Sequence, residues 1–131
     1  MMFQVIRQER GWAGHFICAD RCRFRRNTLL TLGDVRIVVS TVGLMVVRDD
    51  SEKFTTIGVD RHYFETRAFH ADATDERYHD ADMSRQVGFS SPWSISEIDA
   101  DDRANDMHEA VVSEISDRMD KGEFNLAPDG G

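Results

Sequence analysis

Two cysteines, two prolines and no long apolar run leave this 131-residue chain without most of the devices that small proteins use in place of an ordinary core. Cys18 and Cys22 are too few for a multi-bridge disulfide framework. No stretch approaches the roughly 20 apolar residues of a membrane span. The first ten residues carry charges where a signal peptide has its apolar stretch, so the expected location is the cytoplasm. Catalytic signatures are also missing: there is no GxSxG, no P-loop and no dinucleotide-binding glycine pattern. His108-Glu109 is not the start of HExxH, because Val112 occupies the place of the second histidine. The Asp-rich starts at Asp80 and Asp99 are not calcium loops. Their sixth and twelfth positions are Arg85 and Ser91 in one, Ala104 and Ala110 in the other. No repeat or low-complexity tract divides the chain.

What is present is a split of charge. Residues 1–48 carry eight Arg against three acids, while residues 49–131 carry eight Lys or Arg against twenty-one acids, so the net of −8 conceals segments of +5 and −13. A fixed field of this kind selects charged partners. The acidic excess disfavours nonspecific nucleic-acid binding by the molecule as a whole. With 40% hydrophobic and 31% charged residues the chain is too apolar for wholesale disorder, and its length suits one domain burying roughly two-thirds of its unfolded surface. The expectation is a single domain over residues 1–124 with a flexible tail at 125–131.

The first two-thirds reads as short strands separated by turns. Trp12, Gly14, Phe16 and Cys18 alternate with period two; Gly33-Asp34 separates strands at 28–32 and 35–39; Val42-Gly43 precedes another at 44–47; a further strand is expected at 54–59. Ile37, Val38 and Val39 are apolar on both faces, as a central strand requires. Residues 62–71 and 77–83 form a candidate hairpin across 72–76, and Pro92 interrupts the pattern. The C-terminal element is a helix from about Asp99. Ala100, Ala104, Met107, His108, Val111, Val112, Ile115 and Met119 share one arc, and Lys121-Gly122 supply cation and terminator. Ser94 and Glu97 form a candidate capping box just before it. The fold class is therefore α+β: a mostly antiparallel sheet, a meander of short strands, with one long amphipathic C-terminal helix packed on it.

Three groups carry possible recognition or chemistry. The helix arc facing away from the core is acidic, with Asp99, Asp102, Asp106, Glu109, Asp117 and Asp120, and the acidic loop adds Asp72, Asp75 and Glu76. Six carboxylates over about 30 Å give one charge per roughly 5 Å, too sparse alone to imitate duplex DNA at one per ~1.7 Å. Arg21, Arg23, Arg25 and Arg26 form a basic ridge, three of them on one side of an expected strand, able to grip phosphates or carboxylates bidentately. His70, Asp72, His79, Asp80 and Asp82 bracket a turn and are candidates for a metal or acid–base site. His15, Cys18 and Cys22 offer three zinc-ligand types without a fourth, and buried thiols are the expectation there. His108 is expected as a hydrogen-bonded boundary histidine. No metal or cofactor is called for by these patterns.

The stretch GWAGHFICADRCRFRRNTLL at 11–30, with residues 89–98, resembles small uncharacterised proteins of bacteriophages and other mobile elements. Small, acidic, motif-poor proteins of that kind include inhibitors of host defence, anti-CRISPR proteins among them, which occupy a partner's nucleic-acid or subunit surface. The resemblance implies a non-catalytic inhibitor whose partner is a larger host protein or ribonucleoprotein complex, and it transfers no active site. Two other readings stand beside it. One is a small enzyme or anion-binding domain using the Arg ridge with His70 or His79. The other is a homo-oligomer, a homodimer included, in which basic sheet meets acidic helix.

Overall fold

The computed structural model describes residues 4–10, 15, 21–58 and 60–124. Gly33, in the left-handed region at φ +60°, turns the chain with Asp34. Strand β2 (Cys22–Leu32) thereby folds back on β3 (Val35–Val47), antiparallel and in register from Leu32 opposite Val35 to Cys22 opposite Met45. Strand β1 (Ile6–Arg10) pairs along the outer side of β2. On the far side of β3 lie β4 (Asp50–Thr55) and β5 (Phe64–Ala71), and β5 in turn pairs with β6 (Ala81–Val87) and the two-residue β7 (Ser94–Ile95). All these pairings are antiparallel, and one helix, α1 (Asp101–Asp120), follows the sheet. The class is α+β, as expected.

Register sorts the side chains into two layers. Leu30, Ile37, Val39 and Ala68 lie beneath Val111, Val112, Ile115 and Met119 of α1. Leu44, Phe64 and Ile95 receive Ala100, Ala104 and Met107. The reverse face holds Leu29, Val38 and Ala71. Ile37, Val38 and Val39 are all fully buried, which confirms β3 as the central strand.

The details depart from the sequence reading at several places. Val42-Gly43 does not end a strand; β3 runs through it for 13 residues. What the glycine marks is a change of partner. Up to Gly43 the strand pairs with β5, and from Met45 it pairs with β4. Leu44 sits between at φ +54°, its N–H donated to the Tyr63 carbonyl at 3.0 Å. The strand expected at 54–59 lies earlier, at Asp50–Thr55, and that expected at 77–83 lies later, at Ala81–Val87. Ser94 is in β7 rather than a capping box, and α1 begins at Asp101 after Ala100 without a side-chain cap. Asp101 and Asp102 occupy its first turn, where the helix dipole favours anions. The alternating segment at 12–18, apart from His15, and the tail at 125–131 lie outside the described residues. Among the described residues no helix is long and apolar enough to cross a membrane.

Gly43 is required by contact. A Cβ there would clash with Phe64 Cδ1 and lie 2.8 Å from the Tyr63 carbonyl oxygen, one in the core and the other backbone. Gly43→Ala is expected to cost about 1–3 kcal/mol and to lower the thermal midpoint by roughly 5–15 °C. Gly88→Ala, which meets nothing within 4 Å, is the control. Equal melting of the two variants would contradict this account of the strand switch.

Candidate functional site

Four polar assemblies hold the residues considered as candidates on the sheet. The first joins helix to sheet. His108 is completely buried: its Nε2 lies 2.7 Å from Thr28 Oγ1, its Nδ1 lies 2.7 Å from Thr41 Oγ1, and Thr41 Oγ1 lies 2.7 Å from Thr66 Oγ1. At the outer end Thr28 Oγ1 donates to Glu9 Oε2 at 2.9 Å. Glu9 also accepts from Arg7 at 2.7 Å and from Arg26. Arg7 and Arg26 both reach Glu109 on α1, Arg7 through Nη1 at 2.6 Å. Burial pushes the Glu9 carboxyl up, but the hydrogen bonds of Arg7 and Thr28 and the charge of Arg26 outweigh it and hold the pKa below its ordinary value. Glu109, bonded chiefly by Arg7, is lowered to about 2.

That charge fixes the proton positions along the chain. A carboxylate only accepts, so Thr28 gives its single hydrogen to Glu9 and must accept from His108 Nε2. A neutral imidazole then has Nδ1 as acceptor; Thr41 donates to it, and Thr66 donates to Thr41. Burial, helped by Arg26, lowers the His108 pKa to about 4, which keeps it neutral. Sequence reading placed His108 at the boundary of the core. It sits inside because three threonines and Glu9 satisfy it.

The second assembly lies on the reverse face. Glu65 is bound by His15 Nε2 at 2.6 Å and His62 Nε2 at 2.9 Å, with Arg67 Nη2 at 3.5 Å. His15 Nδ1 lies 3.1 Å from Ser40 Oγ. Arg67 stacks on Trp93 at 4.2 Å, and His62 meets the same ring edge-on. Burial raises the Glu65 carboxyl, but His15 and His62 overcome it and the pKa falls to about 2. Gly58, at φ +74°, leaves the space that His62 occupies. Ser40, His62 and Glu65 are all buried, so the group ties the 57–62 turn to β5 from within. His15 thus serves Glu65; Cys18 lies outside the described residues, and Cys22 is buried. Among the described residues no three His, Cys, Asp or Glu side chains are placed to hold a metal ion.

The third assembly is a pocket of about 220 Å³ lined by His70, Asp72, Glu76 and His79 with Arg36 and Arg85. Both candidate histidines line this pocket, and burial together with Arg85 holds His70 below its ordinary pKa. Asp80 and Asp82 do not line it. Asp82 instead accepts from Ser84 N and Oγ, at 3.0 and 2.6 Å. Asp72 accepts from Thr74 Oγ1 and N, and Asp75 from Tyr78 N, so both build the turn.

The basic ridge forms the fourth. Arg21, Arg23 and Arg25 line an open groove of about 490 Å³ together with Arg48, which sequence reading missed because it lies far along the chain. Arg26 is not part of it. Opposite Thr41 in the register, it points to the α1 side and binds Glu9 and Glu109. The groove and the histidine pocket share no lining residue. On α1, Asp102, Asp106, Asp117 and Asp120 are exposed, as is Asp99 before it. Among the described residues none of these five forms an ion pair, whereas Glu109 is held by Arg7 and Arg26. Comparison with known protein families, with curated proteins and with solved structures finds no match.

The His108 pKa predicts a pH dependence of stability. Its folded value, about 4, is below the unfolded 6.5, so the folded state binds fewer protons in between and stability falls as pH drops through that window, by up to about 3 kcal/mol. Denaturant titrations between pH 7 and 4.5 should show this slope in the parent protein and lose it in His108→Gln. A slope equal in both would place the titrating group elsewhere.

Proposed function

We propose that this protein is a non-catalytic binding module that docks the outward carboxylates of α1 on a basic surface of a larger protein or ribonucleoprotein complex. The observation that carries this reading is that Asp102, Asp106, Asp117 and Asp120 are exposed and, among the described residues, form no ion pair, while the neighbouring arginines pair with other acids: Arg7 and Arg26 with Glu9 and Glu109, Arg103 with Glu97, Arg118 with Glu114 and Glu123. Charges left in water with no partner of their own chain speed association with an opposite surface.

The pairing of Glu109 also changes the form of the acidic face. With the centre of α1 neutralised, the free carboxylates fall into a group at its start, joined by Asp99, and a pair at its end, about 20–25 Å apart at a helical rise of 1.5 Å per residue. Two separated anionic contacts suit a protein surface with two basic patches better than a channel shaped for continuous phosphate. The kinship suggested by residues 11–30 and 89–98 makes a host defence complex the first partner to test, with inhibition by occupying a basic nucleic-acid or subunit surface as the consequence.

The test uses Asp102→Asn, Asp106→Asn, Asp117→Asn and Asp120→Asn combined. A partner captured at low salt by the parent protein, then purified, is expected to bind the quadruple variant at least tenfold more weakly and with a flatter salt dependence, because exposed charge contacts are screened. Equal affinity and equal salt dependence would rule the α1 carboxylates out as the docking surface.

A further inference from the structure

We propose that the groove lined by Arg21, Arg23, Arg25 and Arg48 binds the phosphodiester backbone of a single-stranded nucleic acid, a role independent of the docking surface on α1. In a chain with 24 acids against 16 bases, this depression inverts the balance: among the described residues four arginines line it and no acid does. Two of the four are held in place. Arg21 Nη2 donates to the Val46 carbonyl at 2.6 Å, and Arg23 lies over the Phe54 ring at 5.7 Å. Arg25 and Arg48 are exposed and, among the described residues, form no ion pair. The groove therefore combines positioned guanidinium groups with uncommitted ones.

Geometry favours a chain of phosphates. Arg23 and Arg25 are two residues apart on β2, so their Cα atoms are about 7 Å apart, the scale of the step between neighbouring phosphates along a nucleic-acid strand. Each guanidinium fork fits a phosphate bidentately. An open groove of about 490 Å³ admits several such groups in succession, whereas one small anion needs an enclosed cradle.

The sheet stands between Arg25 and the acids of α1. Arg25 pairs with Val42, whose neighbours by register, Ser40 and Val38, belong to the face turned from α1. The carboxylates of α1 therefore stand on the other side of a sheet from Arg25.

The experiment is fluorescence anisotropy of the full chain with a labelled 20-nucleotide thymidine strand in 50, 100 and 200 mM NaCl. Four contacts predict saturable binding with a log–log salt slope of about −3, from −0.7 per phosphate contact on a single strand. Arg25→Gln combined with Arg48→Gln, at exposed positions and with unchanged melting, should halve the slope and weaken binding at 50 mM NaCl at least tenfold. Absence of saturable binding at 50 mM NaCl, or a double variant that binds like the parent, overturns the proposal. So does displacement of the strand by inorganic phosphate, or by poly-glutamate at equal charge, which would assign the groove to a small anion or to an acidic peptide.

Discussion

The interior of this protein is organised around a charge at its margin, because Glu9 is at once the partner of Arg7 and Arg26 outside and the acceptor for Thr28 inside. An ionised carboxylate at that end leaves one self-consistent set of donors through Thr28, His108, Thr41 and Thr66. The helix is located by this chain as much as by apolar contact. Val111, Val112 and Ile115 supply burial without direction, whereas an imidazole hydrogen-bonded on both nitrogens permits one rotation and one height of α1 over β2 and β3. Glu109, the next residue, is thereby presented to Arg7 and Arg26.

This arrangement decides which surface charges remain for partners. Two sets remain: the arginines of the groove, with Arg25 on the face away from α1, and the exposed aspartates of the helix. Between them the Arg7, Arg26, Glu9 and Glu109 cluster pairs two arginines with two glutamates. Exposed ion pairs contribute under about 1 kcal/mol each, so the cluster matters for the charge it removes from the surface and for the polarity it imposes on the buried chain.

The fold class and the helix were legible because periodicity reports burial directly: the apolar arc assigned to α1 matches its buried residues Ala104, Met107, Val111, Val112, Ile115 and Met119. The Gly33-Asp34 turn was legible for the same local reason. Strand ends were not, since Gly43 looks like a terminator and acts as a point of close approach to Phe64, a fact that resides in tertiary contact. The sites were read in part. The Arg ridge was visible as a run, but Arg26 belongs to the opposite face and Arg48 arrives through the β2–β3 pairing. Glu9, Glu65 and His62 gave little local signal. The one clue was the placing of Thr28, Thr41, Thr66 and His108 at positions where the pattern calls for apolar residues, which implies that they satisfy one another.

The central claim is the protonation of His108, and nitrogen-15 NMR of the imidazole side chains at pH 6 reads it directly. The account predicts a neutral His108 ring with the proton on Nε2 and an unprotonated Nδ1. An imidazolium, or a neutral ring with the proton on Nδ1, would contradict the polarity assigned to the buried chain and with it the placement of α1.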